Sequence, residues 1–126
     1  MRRAVLLFAT LAIMAACAPE DRPAAGRAAF EANCAGCHGT DAQGAFAGVP
    51  DLTRLASRAG GQFPMALVLR RVDGYARGLN ERPSDMPEMG HLLEGRLVRV
   101  DLGDGRTTMT PAALAAIAGY LREVQR

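Results

Sequence analysis

Two cysteines and a histidine stand close together in the first third of the chain, in the sequence Cys34-Ala35-Gly36-Cys37-His38. The pattern C-x-x-C-H is the attachment signature of c-type haem. Each thiol adds to one vinyl group of the porphyrin, and two intervening residues give about the span that the vinyl carbons require. The imidazole that follows the second thiol becomes the proximal ligand of the iron. The spacing therefore predicts one covalent haem, held by Cys34 and Cys37, with His38 on the metal.

Three other chemistries use a pair of cysteines at this spacing. A structural zinc site needs four ligands, and the only other histidine of the chain is His91. A thioredoxin-like redox pair lies at a helix start in a βαβ unit, whereas Cys34 follows a short helical pattern and Gly39 breaks the chain after His38. A structural disulfide gives no reason for the histidine. Covalent haem is the interpretation that uses all three side chains.

The first seventeen residues have the pattern of an export signal. Arg2 and Arg3 form a basic start, residues 4–16 are a run of thirteen mostly apolar residues, and small residues precede Cys17. This resembles a bacterial lipoprotein signal peptide. The resemblance implies that Cys17 is acylated, becomes the new N-terminus and anchors the protein to a membrane.

An ordinary signal peptide, cut near Ala16 or Ala18, is the alternative, and it would leave a soluble periplasmic protein. A retained membrane helix is disfavoured, because thirteen apolar residues fall short of the roughly 20 that cross a bilayer. We therefore expect a signal peptide over residues 1–16, a tether over 17–23 and one domain over 24–126. We expect that domain on the periplasmic side of a bacterial membrane, where cytochrome c maturation attaches haem.

Composition limits what the domain can do. The chain of 126 residues has 15 basic residues, all of them arginine, against 13 acidic residues. Without Arg2 and Arg3 it is close to neutral, and nothing in it resembles a nucleic-acid-binding stripe. About 110 residues bury only a modest apolar core, so we expect the porphyrin to fill much of the centre and the apoprotein to fold poorly. With Cys17 assigned to lipid and the other two cysteines to haem, no disulfide is expected.

Two helices are predicted at the ends of the domain. Pro23 suits a first helical turn, and residues 24–33 are good helix formers with Gly26 and Phe30 four positions apart. At the other end, Thr110 and Pro111 predict an N-cap and first turn of a helix that runs to about residue 125.

These helices extend the resemblance to the class I cytochrome c family. In that family the first and last helices cross where a glycine and an aromatic residue meet an aliphatic and an aromatic residue. Gly26 and Phe30, with Ile117 and Tyr120, resemble that crossing. The resemblance covers about residues 24–125 and implies an all-α fold of about four helices wrapped around one covalent haem.

The resemblance also assigns a role to the segment Val49-Pro50-Asp51-Leu52. It is similar to the family segment in which a proline carbonyl accepts the N–H of the proximal imidazole, which implies that role for Pro50. Such a bond fixes the tautomer of the ligand and raises its basicity. The residues also favour a proline before a helix capped by Asp51, and both interpretations can hold together.

Two further elements are predicted between these regions. Pro64 opens a helix in which Met65, Val68, Leu69 and Val72 share one face, and Gly74 ends it. Residues 95–108 alternate apolar and polar side chains around a Gly103-Asp104-Gly105 turn, which predicts a small β-hairpin inserted before the last helix.

The distal side of the iron needs a second ligand if the protein only exchanges electrons. Met86 precedes Pro87, and Met-Pro before the last helix resembles the distal ligand motif of the family. Proline restricts the methionine backbone and helps to hold its thioether at the iron. His91 is the chemical rival, because a second imidazole also closes the iron. Met89 and Met109 are the other candidates, and Met65 is expected to be a core residue.

The expected function is single-electron transfer between a protein donor and a protein acceptor, without a small-molecule substrate and without enzymatic catalysis. The same residues would serve a cytochrome subunit of a membrane or periplasmic dehydrogenase or oxidase. A haem sensor or peroxidase with an open distal site is the alternative of a different class.

Overall fold

The computed structural model describes residues 22–73 and 86–126, so Cys17, the predicted signal peptide and most of the predicted tether lie outside the described residues. Within them the chain forms five α-helices, two 3-10 helices and two strands. The α-helices are α1 (Arg22–Asn33), α2 (Ala35–His38), α3 (Leu55–Arg58), α4 (Met65–Asp73) and α5 (Ala112–Glu123). The 3-10 helices are Leu52–Arg54 and Gly90–Leu93, and the strands are β1 (Leu97–Asp101) and β2 (Thr107–Pro111).

This is a mostly helical fold with one small antiparallel sheet, as predicted. The described residues contain five α-helices rather than about four, because α2 and α3 are single turns of four residues each. Helix α1 begins at Arg22, within the predicted tether. None of the described helices has the length and apolar character needed to cross a membrane.

Helices α1 and α5 pack closely where Gly26 meets the last helix. A Cβ atom on Gly26 would overlap the carbonyl oxygen of Ala116 and would lie 3.1 Å from Cβ of Tyr120. The rings of Phe30 and Tyr120 are 5.3 Å apart between centroids and tilted by 46°, a favourable aromatic geometry. Phe30 and Ile117 are fully buried. The predicted helix crossing is therefore confirmed.

Helix α4 buries one face against the core. The side chains predicted to share that face are all less than a tenth exposed: Met65, Val68, Leu69 and Val72. Pro64 precedes the helix, and its carbonyl accepts from the N–H of Val68 at 3.0 Å. Other buried apolar residues come from α1, the second 3-10 helix and α5: Phe30, Leu92, Leu114, Ile117, Ala118 and Leu121.

Strands β1 and β2 form the predicted hairpin, in a register that pairs Leu97 with Pro111. The prediction of Thr110 as N-cap and Pro111 as first helical residue was wrong. Both residues belong to β2, and α5 begins at Ala112, whose N–H donates to the carbonyl of Arg96 at 2.8 Å. The φ of Pro111, −52°, suits a strand end as well as a helix start, so pairing with β1 decides that this residue ends the strand.

Asp51 caps the first 3-10 helix, as predicted for this carboxylate. Its Oδ1 accepts from the N–H of Thr53 at 2.8 Å and from the Thr53 hydroxyl at 2.6 Å. Thr53 is only 1% exposed, so these bonds also satisfy a buried hydroxyl. The Thr53 bonds are the main cause that holds the pKa of Asp51 below its ordinary value.

Replacing Gly26 by alanine should force α1 and α5 apart, because the new methyl group has no room beside the Ala116 carbonyl. Overpacking of this kind costs about 1–3 kcal/mol. Gly119→Ala on α5 is the matched control, since its Cβ meets nothing within 4 Å. The control should be neutral or stabilise the helix by up to about 1 kcal/mol. Equal unfolding free energies for the two variants would contradict the close packing.

Acid stability should depend on Asp51. Because the folded state lowers the pKa of its carboxyl, this group stabilises the fold above its ordinary value of 3.8 and ceases to do so as pH falls through the lower, folded value. We expect the unfolding free energy of the wild type to decline more steeply over this acidic range than that of Asp51→Asn. Parallel pH profiles for the two proteins would contradict the assignment.

Candidate haem-binding site

The two thiols and the imidazole of the C-x-x-C-H pattern lie on one turn of helix. The N–H of Cys34 donates to the carbonyl of Phe30 at 2.7 Å, so the chain passes from α1 into α2 with little interruption. The N–H groups of Cys37 and His38 then both donate to the carbonyl of Cys34, at 3.2 and 2.9 Å. Cys34 therefore stands at the start of the single turn that carries Cys37 and His38.

The environment of the cysteines differs from that of a redox pair. Cys34 is buried, Cys37 is exposed, and both are free thiols. Burial raises the pKa of Cys34 to about 11, so this thiol stays protonated at neutral pH. Catalytic redox cysteines have a lowered pKa. In residues 22–73 and 86–126 no three His, Cys, Asp or Glu side chains group as metal ligands.

His38 is held as a neutral ring. Burial lowers the pKa of its imidazole, and the backbone carbonyl of Pro50 opposes this shift to a smaller extent. The Nδ1 atom is buried, yet no polar group of the described chain meets full hydrogen-bond geometry with it. The Pro50 carbonyl thus approaches the ring without a well-formed bond. A neutral imidazole retains the lone pair that a metal ligand requires.

A tight loop after α2 returns the chain from His38 to Pro50. The N–H of Gly44 donates to the carbonyl of His38 at 2.8 Å, and the N–H of Leu52 donates to the carbonyl of Ala42, also at 2.8 Å. Gly44 has a φ of +96°, and a Cβ there would lie 2.6 Å from the carbonyl oxygen of Val49. Ala42 is fully buried and has a φ of +60°, a strained value for alanine. These contacts bring the Pro50 carbonyl beside the imidazole.

The candidate distal ligands have different surroundings. Met86 and Met89 are half-buried, and both pack against the core. Met65 is 4% exposed within the core face of α4, and Met109 is 55% exposed on β2. Of these four methionines, Met86 and Met89 are the two that are neither buried in the core face of a helix nor largely exposed.

His91 has a partner of its own at the end of α1. Its Nε2 lies 2.7 Å from Oδ1 of Asn33 on the exposed surface. The amide of Asn33 is oriented because its Nδ2 donates to the carbonyl of Ala29 at 2.8 Å. An oxygen can only accept, so His91 donates from Nε2 in this arrangement. The bond occupies one of the two ring nitrogens that could reach a metal.

These observations fit a covalently attached haem. Cys34 and Cys37 form no disulfide, Cys34 belongs to the buried apolar cluster to which α1, α4 and α5 contribute, and the buried Nδ1 of His38 lacks a complete bond. Thioether attachment needs free thiols, and iron ligation needs an unprotonated nitrogen. Cys34, Cys37 and His38 would hold the group.

Sequence reasoning missed two side chains that act near the site. Asn33 was treated only as the end of a helix, although it binds His91. Gln125 was treated only as a helix end, although it bonds to the segment after Pro50 across 69 and 73 positions of sequence. No local pattern marks such distant pairs. In contrast, the Asp51-x-Thr53 pattern is a recognisable cap.

Comparison with known proteins identifies the family. The family model described as Cytochrome c matches residues 23–125, which span nearly the whole described chain and include the C-x-x-C-H motif. No curated protein and no solved structure matches the chain. The fold, the site and the match agree: the chain belongs to the cytochrome c family as a class I c-type cytochrome, and its cofactor is a single covalently attached haem c.

Proposed function

We propose that this chain is an exported mono-haem electron carrier whose iron is closed on both sides, by His38 and by Met86. The cytochrome c family fits a haem-binding electron carrier rather than a catalytic enzyme. Haem, when bound, supplies an iron that takes up and releases one electron between its ferric and ferrous states.

One observation carries the proposal most directly. Cys34, Cys37 and His38 share a single helical turn beside an apolar core, and the half-buried Met86 packs against that same core from a different part of the chain. A soft thioether and an imidazole are the ligand pair that cytochromes c use to raise the potential of the iron. The bond between His91 and Asn33 also favours methionine over a second histidine.

Pro50 has a supporting role in this proposal. Its carbonyl already acts on the imidazole of His38 and favours the protonated ring. With Nε2 on the iron, Nδ1 would carry the remaining proton, and the Pro50 carbonyl would be its acceptor. This fixes the tautomer of the ring and raises the basicity of the ligand.

Location and partners follow from the family and from the signal-like start of the chain. Cytochrome c domains are usually exported, and the family implies redox protein partners. On the outer face of the hairpin, Leu97 is 53% exposed and Met109 is 55% exposed, which suits contact with another protein.

We place a lipid anchor at Cys17. Retention of the wild type in the membrane fraction, with release of Cys17→Ser, tests that anchor, and equal release of both would contradict it.

Met86→Ala should open the distal side of the iron. The oxidised variant should lose the weak far-red absorption band of a sulfur–iron bond, and the reduced variant should bind carbon monoxide rapidly at neutral pH. Met89→Ala is the matched control, because Met89 is also half-buried and packs against the same core. The control should keep the band and bind carbon monoxide slowly.

Two outcomes would overturn the ligand assignment. Survival of the band in Met86→Ala, together with its loss in Met89→Ala, would make Met89 the ligand. Rapid and complete carbon monoxide binding by the reduced wild type would show an open iron, and would favour a sensor or a peroxidase instead of a carrier.

A further inference from the structure

The side chain of Gln125 connects the end of α5 to the segment that follows Pro50. Its Oε1 accepts from the N–H of Ala56 at 2.8 Å. Its Nε2 donates to the carbonyl of Leu52 at 2.9 Å and to the carbonyl of Leu121, in the last turn of α5, at 2.6 Å. One amide group therefore makes three partly buried hydrogen bonds and uses both donor hydrogens and its acceptor.

The neighbouring backbone strengthens this connection. The N–H of Arg126 donates to the carbonyl of Thr53 at 2.9 Å. Thr53 in turn gives its own N–H and its hydroxyl to the carboxylate of Asp51. Gln125 and Arg126 thus bind one segment at Leu52, at Thr53 and at the start of α3.

This segment follows the Pro50 carbonyl directly and restricts its direction. That carbonyl belongs to the peptide unit joining Pro50 to Asp51, and a peptide unit is planar. Its plane contains the Cα atoms of both residues, so holding Asp51 in place limits the directions open to the carbonyl; Asp51 is bonded to Thr53 and is followed by Leu52, which is itself held. A second bond, from the N–H of Leu52 to the carbonyl of Ala42, attaches the same segment to the loop that follows His38.

We propose that Gln125 is a positioning residue for the haem ligand: it holds the Leu52–Ala56 segment so that the Pro50 carbonyl stays beside the imidazole of His38, where it can accept from Nδ1 once the iron is bound. The inference rests on the proposed function in that His38 must ligate the iron. Because a hydrogen bond at Nδ1 raises the basicity of the imidazole, Gln125 acts on the reduction potential through Pro50. Its anchor is α5, which packs against α1 at the helix crossing.

Gln125→Met tests this role, because methionine has a similar length and no charge but makes none of the three bonds. We expect the Nδ1 proton of His38 to exchange with solvent about fivefold faster, since one neutral hydrogen bond is worth roughly that factor. We expect the reduction potential to rise, because a less basic imidazole stabilises ferric iron less. Both are measured on the holoprotein, by NMR and by redox titration.

Gln62→Met is the matched control. Gln62 also donates from its side-chain amide to a distant carbonyl, that of Gly103 in the hairpin turn, and this bond lies outside the Pro50 segment. The control should keep the wild-type exchange rate and potential. Gln125→Ala provides a second variant, which should change both quantities in the same direction as Gln125→Met.

The outcomes separate this inference from the proposed function. Unchanged exchange and potential in the Gln125 variants, with only a lower unfolding free energy, would show a purely structural residue and overturn the inference. An equal change in Gln62→Met would overturn it as well. If the wild type shows no iron-shifted ring N–H signal from His38, the ligand assignment itself fails.

Discussion

The position of the His38 imidazole is the constraint on which the rest of the site depends. The ring follows Cys37 on a single helical turn, so attachment of the thiols to a porphyrin would also bring the imidazole to its iron. Burial lowers the pKa of the imidazole, and the Pro50 carbonyl opposes this lowering to a smaller extent. The chain thus combines a strictly local element, the C-x-x-C-H turn, with a contact that requires the following loop to fold back.

The remaining elements hold that turn against an apolar centre. The α1–α5 crossing, closed by the absence of a side chain at Gly26, fixes the helix that leads into the haem-binding turn. Helix α4 supplies one apolar face, and the segment with Met86 and Met89 packs against the same core. The hairpin adds Val100 and Leu102 to this core while it exposes Leu97. Each element therefore contributes apolar side chains to one core, which also includes Cys34.

Sequence reasoning succeeded where the signal is local and failed where pairing across the chain decides. The buried face of α4 and the cap at Asp51 each involve residues within two turns of one another, so their geometry follows from local spacing. The prediction that Pro111 begins the last helix was wrong, because pairing with β1 extends strand β2 through this residue. Gln125 was overlooked because its partners lie 69 and 73 positions away.

The central claim is that one porphyrin is joined to this polypeptide through both thiols of the helical turn. Mass spectrometry of the peptide containing Cys34 and Cys37, after expression in a host that matures c-type cytochromes, tests it most directly. The account predicts that this peptide carries the mass of one haem. A colourless protein whose peptide has two unmodified thiols would contradict it.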